Sequence, residues 1–160
     1  MKRIAIFPGS FDPITLGHTN LINDSLQLFD KIIIAVGIND NKKYMFSLDQ
    51  RIKLIETIFK SNNNIIVQSY TKLTIDLCLE YNAKYIIRGL RNNLDFNYEI
   101  DIAFANQALN NNIKTIFLPT QKEDIHISSS KVREIIKLKG SLKNFMPKQI
   151  LNNLDLLKII

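Results

Sequence analysis

Ile4-Ala5-Ile6-Phe7-Pro8-Gly9-Ser10-Phe11-Asp12-Pro13-Ile14-Thr15-Leu16-Gly17-His18 opens on an apolar run and passes through a loop bearing glycine and proline. Behind it, Leu21, Ile22, Leu26 and Phe29 recur at helical spacing, so the order is strand, glycine-bearing loop, helix. Such a loop turns backbone N–H groups outward beside the positive end of the following helix, and an anion is its natural guest. Gly17 lets the chain approach a ligand without a side chain in the way. His18, in the first helical turn, points a ring N–H at whatever the loop holds.

Outward from this unit, four further apolar, β-rich runs follow: Ile32-Ile33-Ile34-Ala35-Val36, Ile65-Ile66-Val67, Tyr85-Ile86-Ile87 and Thr115-Ile116-Phe117-Leu118. Helical patterns separate them. Continuous apolar strands alternating with helices predict a parallel sheet covered on both faces, a Rossmann-like, doubly wound, five-stranded α/β plan. Ligands in such folds bind beyond the carboxyl ends of the strands.

The informative clusters sit at those ends. Asn39 to Lys43 follows the second run, and Ser47 with Gln50 forms a capping box that closes this loop and starts a helix. Taken alone, Lys42 and Lys43 are solvated loop lysines. Arg88-Gly89-Leu90-Arg91 places two guanidinium forks at the ligand edge, where their geometry matches phosphate oxygens. The next helix begins near Leu94, with Asp95 and Glu99 on one face. It carries two apolar stripes, one through Leu94, Tyr98, Ile102, Ala105 and Leu109, the other through Phe96, Ile100 and Phe104. One stripe suffices for the sheet, and the second fits a subunit interface. After the last run, Ser128-Ser129-Ser130 offers a helix cap plus spare hydroxyls and N–H groups for an anion. His126 reads as a surface or packing residue.

Composition bounds the function. The 160 residues, 46% hydrophobic and 22% charged, form one globular domain over 1–160. No apolar run approaches the roughly 20 residues that span a bilayer, and the one after Met1-Lys2-Arg3 is too short for a signal-peptide core. The expected location is the cytoplasm, with no membrane partner. Cys78, the single cysteine, lies between leucines and reads as a small buried residue. A net charge of +6 invites nucleic acid as a partner, but the basic excess is concentrated in residues 131–160, whose only aromatic is Phe145. Single-strand binders interleave aromatics with charge, so no nucleic-acid partner is expected. No His, Cys and carboxylate cluster suggests a metal site built by the protein.

Thr15-x-Gly17-His18 together with Ile127-Ser128-Ser129-Ser130 resembles the nucleotidyltransferase superfamily. Within it, Gly9-Ser10-Phe11-Asp12-Pro13, Lys42, Arg88-Gly89-Leu90-Arg91, Asp95-Phe96 and Tyr98-Glu99 resemble the bacterial phosphopantetheine adenylyltransferase family over essentially the whole chain. The resemblance implies reversible transfer of the adenylyl group of ATP to 4'-phosphopantetheine, in a homohexamer, with Mg²⁺ arriving on ATP. It implies catalytic roles for His18, Lys42 and Arg91. Ser10, Lys42, Thr74 and Arg88 would hold the pantetheine substrate. Ser10, Phe11, His18, Gly89, Arg91, Glu99, Asp124, Ile127, Ser128, Ser129 and Ser130 would bind ATP. Two positions depart from the family pattern: Asp124, where an aromatic is frequent, and Thr74, where a larger apolar residue commonly stands. Another adenylyl- or cytidylyltransferase with a different phosphate acceptor is the alternative.

Overall fold

All five apolar runs form strands, β1 (Ile4–Gly9), β2 (Lys31–Gly37), β3 (Ile65–Tyr70), β4 (Tyr85–Leu90) and β5 (Lys114–Pro119), in the computed structural model, which describes residues 2–153. The domain assignment over 1–160 and part of the basic C-terminal stretch reach beyond these: Met1 and residues 154–160 lie outside the described residues. The strands build one sheet in the order β3-β2-β1-β4-β5, every neighbouring pair parallel.

Successive side chains on a strand point to opposite faces, so each apolar run feeds two cores. Phe7, Ile32, Ile34, Val36 and Ile87 pack against α1 (Leu16–Ser25), α2 (Leu48–Phe59), α5 (Ser129–Lys137) and α6 (Lys148–Leu151). Ile6, Ile33, Ala35 and Ile86 pack on the other face with Ile75, Leu77 and Cys78 of α3 (Thr74–Glu80). Cys78 is fully buried, and burial pushes its thiol up to about 12.

The predicted capping box is present: Gln50 donates its N–H to Ser47, and the Gln50 side chain accepts from the Ser47 N–H. α1 is shorter than its apolar spacing implied. It ends at Ser25, and Phe29 enters the core from the tight turn that follows, its N–H donating to the Ser25 carbonyl. Neither apolar stripe of α4 (Asn93–Leu109) is buried as a whole. Leu94, Tyr98, Phe104 and Leu109 are 58% to 79% exposed, and Glu99 is the one buried residue of the helix.

The site is positioned by a break in pairing at the centre of the sheet. β1 and β4 pair at Ala5–Tyr85 and Ile6–Ile86 only, whereas β1 follows β2 to Gly9 and β4 follows β5 to Leu90. Pro8 has no N–H with which to continue the ladder. The carboxyl ends of β1 and β4 therefore part where the chain switches sheet direction, which opens a crevice.

Candidate active site

Thr15 caps α1 in an extended conformation and sets the orientation of His18. Its backbone N–H donates to His18 Nδ1 at 3.1 Å, and its hydroxyl lies 2.8 Å from the same nitrogen. A ring nitrogen that accepts from a backbone N–H carries no proton, so the neutral ring holds its proton on Nε2. Phe11 meets the ring edge-on, with centroids 5.3 Å apart. Burial first, then the charges of Arg91 and Arg88, lowers the His18 pKa to about 4. At neutral pH His18 is therefore a neutral donor.

This shift has a sign that can be measured. The unfolded chain, with His near 6.5, binds the proton more readily than the native state between that value and about 4. Native stability is therefore expected to fall as pH drops through this window, and His18→Gln to remove that part of the slope in denaturant titrations. By NMR, the ring should titrate near 4 in the free protein and move upward when phosphate ligands bind. A midpoint that stays near 6.5 would contradict the burial argument.

Two arginines close the other side. Arg88, from β4, grips Glu99 of α4 side-on, with Nε and Nη2 each 2.5 Å from a carboxylate oxygen. Its Nη1 crosses the gap between strands to donate to the Pro8 carbonyl at 2.9 Å, which leaves one N–H on each terminal nitrogen. Arg91 is held in the same manner by Asp95, at 2.8 and 3.0 Å. That hydrogen bond raises the Arg91 pKa and holds the Asp95 carboxyl below its usual range. The forks expected to meet phosphate are thus each half occupied by a carboxylate, and their outer Nη hydrogens remain for a ligand.

His18, Arg88, Gly89, Arg91 and Glu99 share one cleft of about 330 Å³. Phe11, Thr15 and Gly17 line it from the first loop, and Asp124, Ile127 and Ser128 to Ser130 from the segment after β5. At Gly89 an added Cβ would come within 2.6 Å of Leu21 Cδ2, so a side chain there would displace the Leu21 side chain. At Gly17 a Cβ would stand 3.5 Å from Asp124 Cβ, an ordinary contact. Asp124 is buried and accepts from Asn20 Nδ2 at 2.7 Å. Of the serine hydroxyls expected to be spare, Ser129 spends its proton on the Pro13 carbonyl, while Ser128 and Ser130 act as acceptors, from the Lys131 N–H and from Arg133 Nη2. What this helix start offers an anion is its backbone N–H groups together with the Ser128 and Ser130 hydroxyl protons.

Three expected site residues stand outside the lining of this cleft. The Ser10 carbonyl accepts from Arg51, Lys42 is exposed in the loop between β2 and α2, and Thr74 Oγ1 lies 3.3 Å from the Tyr70 hydroxyl. They follow β1, β2 and β3 respectively, along the same carboxyl edge but on the far side of β1 from β4. The edge thus presents two adjoining regions. Asp12 ties them together: its carboxylate accepts the Met45 and Phe46 N–H groups, both at 2.9 Å, and its carbonyl accepts from Arg133 of α5. Arg51 was not singled out from sequence, and Asp12 stood within the Gly9-Ser10-Phe11-Asp12-Pro13 motif without a role of its own. Arg51 had a readable signal, since it falls on the same helical face as Leu54, Ile55 and Ile58.

The chain matches the Cytidylyltransferase-like family over residues 6–135. It is 50% identical over 148 residues to the phosphopantetheine adenylyltransferase of Flavobacterium psychrophilum, covering 92% of this chain and 97% of that protein. It is 46% identical over 159 residues to that of Pelagibacter ubique, covering 96% and 97%, and 44% identical over 153 residues to that of Clostridium perfringens, covering 96% and 93%. Among solved structures, a candidate nicotinate-nucleotide adenylyltransferase from Vibrio parahaemolyticus aligns with a TM-score of 0.72 at 20% identity, over 99% of this chain and 100% of that one. A bifunctional NMN adenylyltransferase/ADP ribose pyrophosphatase from Francisella tularensis, complexed with AMP and manganese, aligns with 0.67 at 19% identity, over 91% and 44%. At these identities the structural matches speak for a shared fold alone.

Proposed function

The chain belongs to the phosphopantetheine adenylyltransferases of the Cytidylyltransferase-like family, and we propose that it works by in-line displacement with the residues of the β1/β4 cleft. The reaction is transfer of the adenylyl group of ATP to 4'-phosphopantetheine, giving dephospho-coenzyme A and pyrophosphate, in coenzyme A synthesis. An oxygen of the acceptor phosphate forms the new bond to the α-phosphorus, the bond from that phosphorus to the bridging oxygen breaks, and pyrophosphate leaves. The acceptor is ionised at neutral pH, so neither a general base nor a covalent intermediate is required.

Catalysis in this reading rests on placing two anions in line and stabilising charge on the transferring group. The observation that carries it is the neutral His18, with its proton on Nε2, set in one cleft with Arg91 and the start of α5. ATP takes this cleft. The acceptor takes the adjoining region of Ser10, Lys42 and Thr74, and Arg88 borders both. The carboxylates of the cleft are tied to arginines or to Asn20, and among the described residues no group of three or more His, Cys, Asp or Glu is placed to hold a metal. Mg²⁺ would be carried by the ATP phosphates, where it would supply charge against the departing pyrophosphate.

The exposed apolar side chains of α4 support assembly of subunits, and we take the homohexamer as the working state, in the cytoplasm. Light scattering should then give six chains for the wild type and fewer for Phe104→Asp. The reaction is tested by pyrophosphate release from ATP and Mg²⁺ with 4'-phosphopantetheine, run beside CTP and other phosphate acceptors. Release with only another pair of substrates would keep the fold and discard the acceptor assignment.

A further inference from the structure

Arg51, in the first turn of α2, is 2% exposed and has no carboxylate partner among the described residues. Its Nη1 donates to the Ser10 carbonyl at 2.7 Å and to the Gly37 carbonyl at 3.1 Å. The Tyr44 ring lies 4.0 Å from its guanidinium carbon, and its Nε is buried with no partner at all. Two neutral carbonyls and a ring face share this charge but do not cancel it, and an uncompensated buried charge is costly. An opposite charge arriving beside it would lower that cost. The three groups it touches are the end of β1 at Ser10, the end of β2 at Gly37, and the loop that carries Lys42.

We propose that Arg51 is a positioning residue for the phosphate acceptor: it locks the Ser10 and Lys42 loops together and supplies the buried positive charge that the incoming phosphate monoester compensates. The inference rests on the assignment of Ser10 and Lys42 to the acceptor. It gives this part of the edge a selectivity that surface lysines lack, because a buried guanidinium is neither screened by salt nor free to move away.

The full-length wild type, Arg51→Met and Arg51→Lys are titrated with 4'-phosphopantetheine alone and separately with ATP and Mg²⁺. Binding is read from the thermal unfolding midpoint, and initial rates give the two KM values. No midpoint shift of the wild type with 4'-phosphopantetheine would overturn the acceptor assignment itself, and the proposal with it. With that shift present, Arg51→Met should need at least about tenfold more 4'-phosphopantetheine while ATP changes by less than about twofold. Arg51→Lys, which keeps the charge but not the fork, should need about threefold more. Equal weakening toward both ligands would reduce Arg51 to a strut, and acceptor affinity retained in both variants would remove its role; either result overturns the proposal. Should Arg51→Met fail to fold, Arg51→Lys carries the same comparison, with acceptor-only weakening in support and any other outcome against.

Discussion

Replacing His18 with alanine is expected to lower kcat by about 10²–10³ while changing the KM for ATP by less than about threefold. The ring's structural contacts are the cap it shares with Thr15 and the edge-on packing with Phe11, and both leave Nε2–H as its free group. In the proposed reading, a neutral donor gains little from ground-state phosphates that Arg91 and helix N–H groups would already hold. It gains more as charge gathers on the oxygens of the transferring phosphoryl group, so the loss falls on turnover rather than on binding. Steady-state kinetics with ATP varied at saturating 4'-phosphopantetheine reads both constants. An unchanged kcat would remove His18 from the chemistry. A raised KM with unchanged kcat would make it a binding residue only.

Glu99→Ala is expected to lower the free energy of unfolding by about 3 kcal/mol, the ordinary cost of leaving one partner of a buried ion pair uncompensated. The pair is well shielded, with side chains 23% and 11% exposed for Arg88 and Glu99. Glu99 is also the one buried residue through which α4 reaches the sheet edge, so its loss loosens the helix whose first turn holds Arg91 through Asp95. The double variant Arg88→Met/Glu99→Leu should lose less than Glu99→Ala, since it removes the stranded charge together with its partner. Urea titration of the three proteins decides. A loss below about 0.5 kcal/mol for Glu99→Ala would mean that Arg88 finds other compensation in the cleft.

Much of the site was legible because its residues sit in local patterns. The first loop, the Arg88 to Arg91 turn and the serine cap each follow a strand, and the crevice rule for doubly wound sheets brings strand ends together without further information. Gly89 was legible as part of a motif, but its contact with the Leu21 side chain of α1 was not. The spare hydroxyl read into Ser129 was not there to find. A hydroxyl takes whatever acceptor the fold brings, and for Ser129 that is the Pro13 carbonyl, 116 positions away. α4 was legible as a doubly apolar helix, and the structure adds that most of those large side chains face outward.

The five strands, the parallel doubly wound plan, the Ser47–Gln50 capping box, the serine cap and the family were determined by the sequence alone. Period, caps and glycine positions act over a few residues, and short-range sterics and burial read them directly. Which partner each charged group takes was decided by the tertiary structure. Arg88 took Glu99 and the Pro8 carbonyl, Asp12 took the N–H groups of Met45 and Phe46, and Arg51 took Ser10 and Gly37 with no counter-ion among the described residues. An arginine fork binds any carbonyl or carboxylate within reach, so its choice depends on what the packed sheet edge places beside it, and no local pattern in the chain encodes that.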